Sequence, residues 1–491
     1  MISSDVSLAE LPVYRCDHIL GLIDGTLSAE LYRSWGYALG QMLEAGSLVV
    51  VSADIRESSI PFKSALVEGL LATSVRVVDV GILPADLTTY AREVLNATGF
   101  VCVSGDCYPS CWNGLRWRLN DVGLLMSEQV ERLREIALAT PVIDMAAVQR
   151  SIPNHFRKRD VIFHWIAWSQ DIWHDATQRQ MRVLIDPMHG SWSQITSRAL
   201  QAVFPHVHVE TIRDVPDSKF GGHIPNSRVA ESIATTCQTV RQKLVDFGIV
   251  LDADAGVFTV IDNEGSPLSV EEMQWLFIRH LLCDAIDGEC LLHDSACSEI
   301  LLNEVAKLGA IPVVSGMCAN QFIDDMRQKN AMFGIMSDGS LFFRGTGGNR
   351  IVTFAINWLV DYMLCATFKL SDWRKTLPAF NVTPELRVEG SHVEALVNHL
   401  SKEWSSKPFE TMDGYLFSGT AAKIHIRAIE GYKQLGFRFE SKSRDGLNNI
   451  VQRCCMALSK FDKISSSLAE AYKQAKPPTI TTANQKKRKK E

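Results

Sequence analysis

The chain has 491 residues, 46% of them hydrophobic and 22% charged, with a formal net charge of −6. Such a length exceeds one hydrophobic core, since domains run to about 100–200 residues. The acidic balance excludes a general nucleic-acid binder, which needs a cationic surplus against phosphates. No run of about 18 apolar residues marks a membrane span.

The opening MISSDVSLAELPVYRCDH has no basic segment leading into an apolar one, so no secretory leader is expected. The twelve cysteines then read as reduced thiols of a cytoplasmic protein. Cys102, Cys107 and Cys111 cluster, but without zinc-knuckle spacing or a neighbouring histidine.

SLVVVSAD (47–54) is a continuous apolar run, as a strand buried on both faces requires. PFKSALVEGLLATS follows at helical spacing, VRVVDVGI returns to strand, LTTYAREVLNAT is helical and GFVCVS is strand again. This alternation predicts right-handed crossovers and a mostly parallel sheet. The scheme restarts at MRVLIDPMHGSW (181–192) and runs to DFGIVLDADAGVFTVIDNEG, a strand–loop–strand. A third start covers EEMQWLFIRHLLCDAI, GECLLHD, CSEILLNEVAKLG, AIPVVSG and NQFIDDMRQKN. From about residue 377, HVEALVNHLSKEW, DGYLF, KIHIRAI and GFRFESKS predict a smaller α+β module. The tail KPPTITTANQKKRKKE is polar and basic and reads as disordered.

Ligands in parallel α/β units lie beyond the carboxyl ends of strands. The loops to inspect are SGDCYPSCWNG (104–114), LDADAGV (251–257), AMFGIMSDGSLFF (331–343) and SKSRDG (441–446). In that order they resemble the four loops of the α-D-phosphohexomutases, the phosphoglucomutase/phosphomannomutase family. The resemblance covers about residues 12–470.

The family's phosphoserine loop is T-[AG]-S-H-N-P-x-x-Y-N-G. Here Gly105, Pro109, Asn113 and Gly114 hold, Asp106 stands at the catalytic phosphoserine and Cys107 at the following histidine. The family's magnesium loop, D-G-D-[GA]-D-R, keeps Asp252 and Asp254, with Gly256 at the third ligand and Val257 at the arginine. The sugar loop, G-E-x-S-G-H, has Met336, Asp338 and Ser340 at its discriminating positions. For the phosphate loop, R-x-S-[GN]-T, Ser443 matches, Ser441 replaces the arginine, and Lys442 and Arg444 supply cations. FSGTAAK (417–423) resembles that motif in text but comes too early. YRCDHILG resembles F-R-x-Y-D-I-R-G and keeps Arg15, while SADIRESS keeps Asp54, Arg56 and Ser58 of G-x-D-x-R-x-S, a segment read as structural.

The resemblance implies an α/β protein of three tandem α/β domains plus a C-terminal smaller α+β domain around a central cleft. The boundaries fall at 1–155, 156–268, 269–376 and 377–475, with a tail at 476–491. It implies Mg²⁺ as cofactor, a hexose phosphate as ligand, and substrate contacts from Arg15, Met336, Asp338, Ser340, Lys442, Ser443 and Arg444. No nucleic-acid, membrane or specific protein partner is indicated.

Family chemistry passes a phosphoryl group from the serine to the sugar and takes one back, with magnesium neutralising charge. Here the serine, one metal ligand, the arginine and the sugar-reading pair are replaced, which implies impaired transfer and a fold kept for sugar-phosphate or partner binding. The alternative is an active, divergent mutase interconverting hexose 1- and 6-phosphates. Two readings of Asp106 stand open: a fixed carboxylate completing an oxygen site with Asp252 and Asp254, or three acidic residues that bind nothing. Ser104 and Ser110 read as backbone caps, His189 as a turn residue, and RGTGGNR (344–350) as a connecting turn without a Walker lysine–serine pair.

Overall fold

The computed structural model describes residues 12–16, 18–119, 126–173, 179–254, 256–283, 287–429 and 433–475. The basic tail lies outside them. The chain divides into two compact units, Glu10–Pro378 and Ala379–Glu491.

The larger unit holds three sheets. The first contains β1 (Val13–Tyr14), β2 (His18–Leu22), β3 (Leu48–Ala53), β4 (Arg76–Ile82), β5 (Gly99–Val103), β6 (Trp112–Leu119) and β7 (Phe156–Lys158) in the order β1-β2-β6-β5-β3-β4-β7. β7 pairs parallel with β4, so this sheet reaches past the expected boundary at 155. The second contains β8 (Met181–Asp186), β9 (Val207–Thr211), β10 (Phe247–Leu251) and β11 (Phe258–Asp262) in the order β11-β10-β8-β9. The third contains β12 (Cys290–Asp294), β13 (Ile311–Ser315), β14 (Phe333–Ile335) and β15 (Leu341–Phe343) in the order β13-β12-β14-β15.

One plan is used three times. Three neighbouring strands run parallel, and the last of them reverses into an antiparallel partner: β5 into β6, β10 into β11, β14 into β15. Each reversal is one of the loops singled out above.

The first core shows why these residues take these elements. Tyr32, Trp35 and Leu39 of the helix Ala29–Gln41 pack with Leu66 and Leu70 of Ser59–Leu71 over Val49, Val51 and Val101. Ser28 caps the first helix by accepting the Leu31 N–H at 3.2 Å. The two helices touch through Gly36 and Gly69, where an added Cβ would overlap the Leu66 and Arg33 carbonyls.

The helix Ala319–Gln328 of the third sheet docks on the first: Asn320 Nδ2 donates to the Trp117 carbonyl at 3.0 Å, and Arg118 Nη1 donates to the Asn320 carbonyl at 2.8 Å. Beside it Cys16 and Cys318 form a disulfide. This corrects the reading of all twelve cysteines as thiols: a pair 302 residues apart leaves no spacing signal.

The smaller unit is an antiparallel sheet of β16 (Leu386–Glu389), β17 (Phe409–Thr411), β18 (Gly414–Ser418), β19 (Ala422–Ile429) and β20 (Gln434–Ser441), in the order β16-β20-β19-β18-β17. Helices Val393–Glu403, Arg444–Ala457 and Asp462–Ala475 cover it, with Leu396, Leu400, Leu447, Val451 and Leu468 buried. No described helix is long and apolar enough to cross a membrane.

Candidate functional site

At the carboxyl ends of β3, β8 and β12 stand Asp54, Asp186 and Asp294, all buried. Each accepts the backbone N–H two residues on, from Arg56, Met188 and Ala296, at 3.1, 3.0 and 2.9 Å. Two of them also hold the reversal loop of the neighbouring strand. Asp54 Oδ2 accepts the Gly105 N–H at 3.0 Å, and Asp294 Oδ2 accepts the Ser337 N–H at 2.6 Å and its hydroxyl at 2.8 Å.

The first loop is shaped mostly from outside. Arg56, 1% exposed, pairs with Asp54 and donates to the carbonyls of Asp106 (2.9 Å), Tyr108 (2.7 Å) and Pro109 (2.5 Å). Its guanidinium also lies over the Phe220 ring, 4.9 Å from the centroid. Gly105 is required because an added Cβ would meet that guanidinium, and Gly114 because it would overlap the Ile19 carbonyl. Asn113 Nδ2 donates to Ser58 and Ser59 at 2.7 and 2.9 Å. The SADIRESS segment therefore carries the loop.

Asp106 is at the tip in the left-handed region, φ 54°, a conformation aspartate tolerates better than most residues. Ser104 Oγ accepts the Asp106 N–H at 3.0 Å, which is the capping role read for it, and Asp106 Oδ1 accepts the Cys107 N–H at 2.8 Å. Asn226 Nδ2 reaches the Cys107 sulfur at 3.4 Å, joining this loop to the second sheet. His189, φ 60°, sits in a turn with Nδ1 2.7 Å from the Val215 carbonyl.

In the second loop Asp252 and Asp254 are both buried. Asp252 Oδ1 accepts the Ser227 N–H at 2.5 Å, and Asp254 Oδ1 accepts the Ala85 N–H at 3.0 Å. Burial pushes the Asp252 carboxyl up to about 6, against the hydrogen bonds from Ser227 and the charge of Arg228, with Asp106 adding to the rise. Asp254 is raised well above the usual carboxylate range by burial and then by Asp54, against Ser104 and Arg116. Asp86, at the head of the helix Ala85–Val94, is raised by burial and by Asp106, against Arg350 and Arg116.

The third loop is a tight turn: the Met336 N–H donates to the Ser340 carbonyl at 3.0 Å, and the Gly339 N–H to the Met336 carbonyl at 2.7 Å. Gly339 has φ 86°, and a Cβ there would meet the Arg228 guanidinium. Of the three residues expected to face a sugar, Asp338 is exposed. Met336 is 3% exposed among Leu292, Phe322, Met326 and Phe342, where its thioether packs as core. Ser340 is fully buried and accepts from Arg350 Nη1 at 3.0 Å.

Arg350, which closes the RGTGGNR segment, joins the site although no motif in the sequence points to it. Its guanidinium stands against Gly256, where an added Cβ would overlap Nε. Nε also lies 3.8 Å from Asp86 Oδ1. A cavity of about 40 Å³ adjoins Asp86, Arg116 and Arg350, room for water rather than a sugar.

Mg²⁺ asks for several converging oxygens in near-octahedral array. The residues do not fit it. One oxygen each of Asp252 and Asp254 is held by a backbone N–H, position 256 offers no donor, and a guanidinium fills the adjoining space. Among the described residues no three His, Cys, Asp or Glu side chains gather as a metal-holding group, Asp106, Asp252 and Asp254 included.

Two further sets of candidates come from other segments. Arg15 sits in the turn between β1 and β2, its N–H donating to the His18 carbonyl at 2.9 Å and its Nε buried without a hydrogen-bond partner among the described residues. In the smaller unit Lys442, Ser443 and Arg444 are exposed at the N-terminus of the helix Arg444–Ala457, capped by Ser443 Oγ accepting the Gly446 N–H at 3.1 Å. FSGTAAK forms the adjacent β18–β19 turn, and the Lys442 N–H donates to the Ala421 carbonyl at 3.2 Å.

Family models described as phosphoglucomutase/phosphomannomutase, alpha/beta/alpha domains I and II, match residues 15–146 and 167–265. The phosphomannomutase of Vibrio cholerae is 24% identical over 475 residues, which is 93% of this chain and 100% of that protein. The phosphomannomutase/phosphoglucomutase of Pseudomonas syringae is 23% identical over 445 residues, 89% of this chain and 93% of that one. The crystal structure of a phosphoglucomutase/phosphomannomutase family protein from Burkholderia thailandensis shares the fold, with a TM-score of 0.77 at 20% identity over 97% of this chain and 99% of that one. With its first two sheets matched by dedicated family models and its relatives aligned over nearly their whole length, the chain belongs to the α-D-phosphohexomutase family.

Proposed function

We propose that this chain is a phosphohexomutase homologue of sugar metabolism whose phosphoserine-dependent phosphoryl transfer is impaired, and that it is retained for binding a hexose phosphate. One observation carries this reading. Asp106 occupies the tip of an intact loop, offering a permanent carboxylate where the family has a hydroxyl nucleophile. A carboxylate there can act as a negative fixture but cannot shuttle a phosphoryl group as a serine does. A mixed anhydride at Asp106 would need a formed Mg²⁺ site, which the second loop does not supply.

Two features support ligand binding. The Arg15 guanidinium has a buried donor without a partner among the described residues. Lys442 and Arg444 flank a helix N-terminus, where exposed N–H groups and the helix dipole favour an anion. Asp338, exposed on the third loop, is the candidate for a sugar hydroxyl.

The test is a coupled assay with glucose 1-phosphate or mannose 1-phosphate and glucose 1,6-bisphosphate as activator. No turnover above background is expected, while glucose 6-phosphate raises the melting temperature. Sustained turnover, abolished by Asp106→Ala, establishes the divergent active mutase instead.

A further inference from the structure

The departures from the family loops at Gly256 and Ser340 look like separate losses in the sequence. In the structure they meet at one side chain. Arg350 comes from the segment after β15, bonds Ser340 of the third loop and stands against Gly256 of the second. Gly256 leaves the space the guanidinium occupies, and Ser340 Oγ accepts from Nη1 at 3.0 Å. Asp86 stands 3.8 Å from Nε, itself held by the Val352 N–H at 3.2 Å.

We propose that Arg350 is the resident cation of this acidic pocket, standing where a third carboxylate and its divalent ion would otherwise be, so that the site is metal-independent. The surrounding charges agree. Arg350 and Arg116 act on Asp86, Arg228 on Asp252 and Arg116 on Asp254, while Asp106 adds negative charge to all three. Arginine suits the post because it stays charged when desolvated and presents several donors in a fixed plane. A divalent ion entering this space would have to displace a guanidinium held by Ser340 and Asp86. The third-ligand and sugar-loop changes then form one compensated set: the glycine makes room, and the serine and Asp86 hold the guanidinium.

This inference deepens the reading of the site as a non-mutase pocket, and it is tested without any sugar, so the two can fail separately. Full-length protein is titrated with Mn²⁺, free ion being followed by electron paramagnetic resonance. The wild type is expected to bind no Mn²⁺ up to about 1 mM, the weak end of protein oxygen sites. Gly256→Asp alone is expected to stay silent, its new carboxylate pairing with Arg350. Gly256→Asp with Arg350→Met is expected to gain Mn²⁺ binding at least about tenfold tighter than either parent. Wild-type binding below about 1 mM that disappears in Asp252→Asn would overturn the proposal. So would equal Mn²⁺ binding by Gly256→Asp with and without Arg350. The wild-type titration decides the matter even where a variant does not fold.

Discussion

Arg56 and Asp54, two residues apart, form a buried ion pair whose cation holds three carbonyls of the first loop while its anion holds the Gly105 N–H. Both side chains are 1% exposed. Together they impose the loop's path.

Removing Arg56 leaves Asp54 charged and buried with three carbonyls unmatched. Arg56→Met is therefore expected to lower stability by about 3–5 kcal/mol, read by urea denaturation. Lysine keeps the charge but has no fork to reach several carbonyls, so Arg56→Lys recovers less than half of the loss. Full recovery by lysine would show that charge alone supports the loop.

Asp106 adds to the carboxylate charge around Asp86, Asp252 and Asp254 and pushes all three upward. Asparagine tolerates the same left-handed backbone and still accepts the Cys107 N–H. Asp106→Asn is expected to stabilise the protein by about 0.5–1 kcal/mol at pH 7, seen as a higher melting temperature. A residue whose charge costs stability marks a ligand-facing role. A drop in melting temperature instead would make Asp106 structural.

Lys442 and Arg444 are expected to bind phosphate at the head of their helix. Lys442→Ala and Arg444→Ala should each weaken glucose 6-phosphate binding by roughly tenfold or more, the worth of a charge-assisted hydrogen bond. Isothermal titration measures this, and unchanged affinity in the double variant would show that the head of this helix holds no phosphate.

Glu385 gives a pH prediction. Burial alone would raise its carboxyl, but Arg427 at 2.6 Å and Arg387 at 3.0 Å override it and hold the group at about 2. A depressed carboxyl stabilises the fold above its unfolded value, and the benefit is lost as pH falls toward the folded one. Glu385→Gln is thus expected to cost about 3 kcal/mol at pH 7, about half that at pH 3, about 0.4 kcal/mol at pH 2 and nothing by about pH 1. Denaturation melts across that range check the slope, and a pH-independent cost would sink the assignment.

The frame was legible and the reach was not. Gly105 and Gly114 can be read from the sequence because each fills a place where a side chain would overlap a guanidinium or a carbonyl. The strand–helix alternation survives because runs such as 49–53 are buried on both faces. Met336 was misplaced because spacing locates a turn without telling which way its side chains point, and an apolar thioether turned inward. Arg350 escaped notice for a stronger reason. Its partners Asp86, Gly256 and Ser340 come from three sheets' connections, and no local pattern encodes a long side chain crossing between them. The Cys16–Cys318 bond escaped in the same way.

The strand-end aspartates separate what shapes a loop from what the loop displays. Gly105 and Ser337 hang from Asp54 and Asp294, on neighbouring strands, so the turn is cast before its outer residues matter. Of the first loop's outer positions, 106 needs a residue that tolerates a left-handed backbone and 107 meets Asn226, while 110 and 111 are a replaceable fitting on a fixed bracket. A library randomised at 110 and 111, with Asp, Asn or Gly at 106, should fold almost throughout, which makes this scaffold a chassis for installing new chemistry.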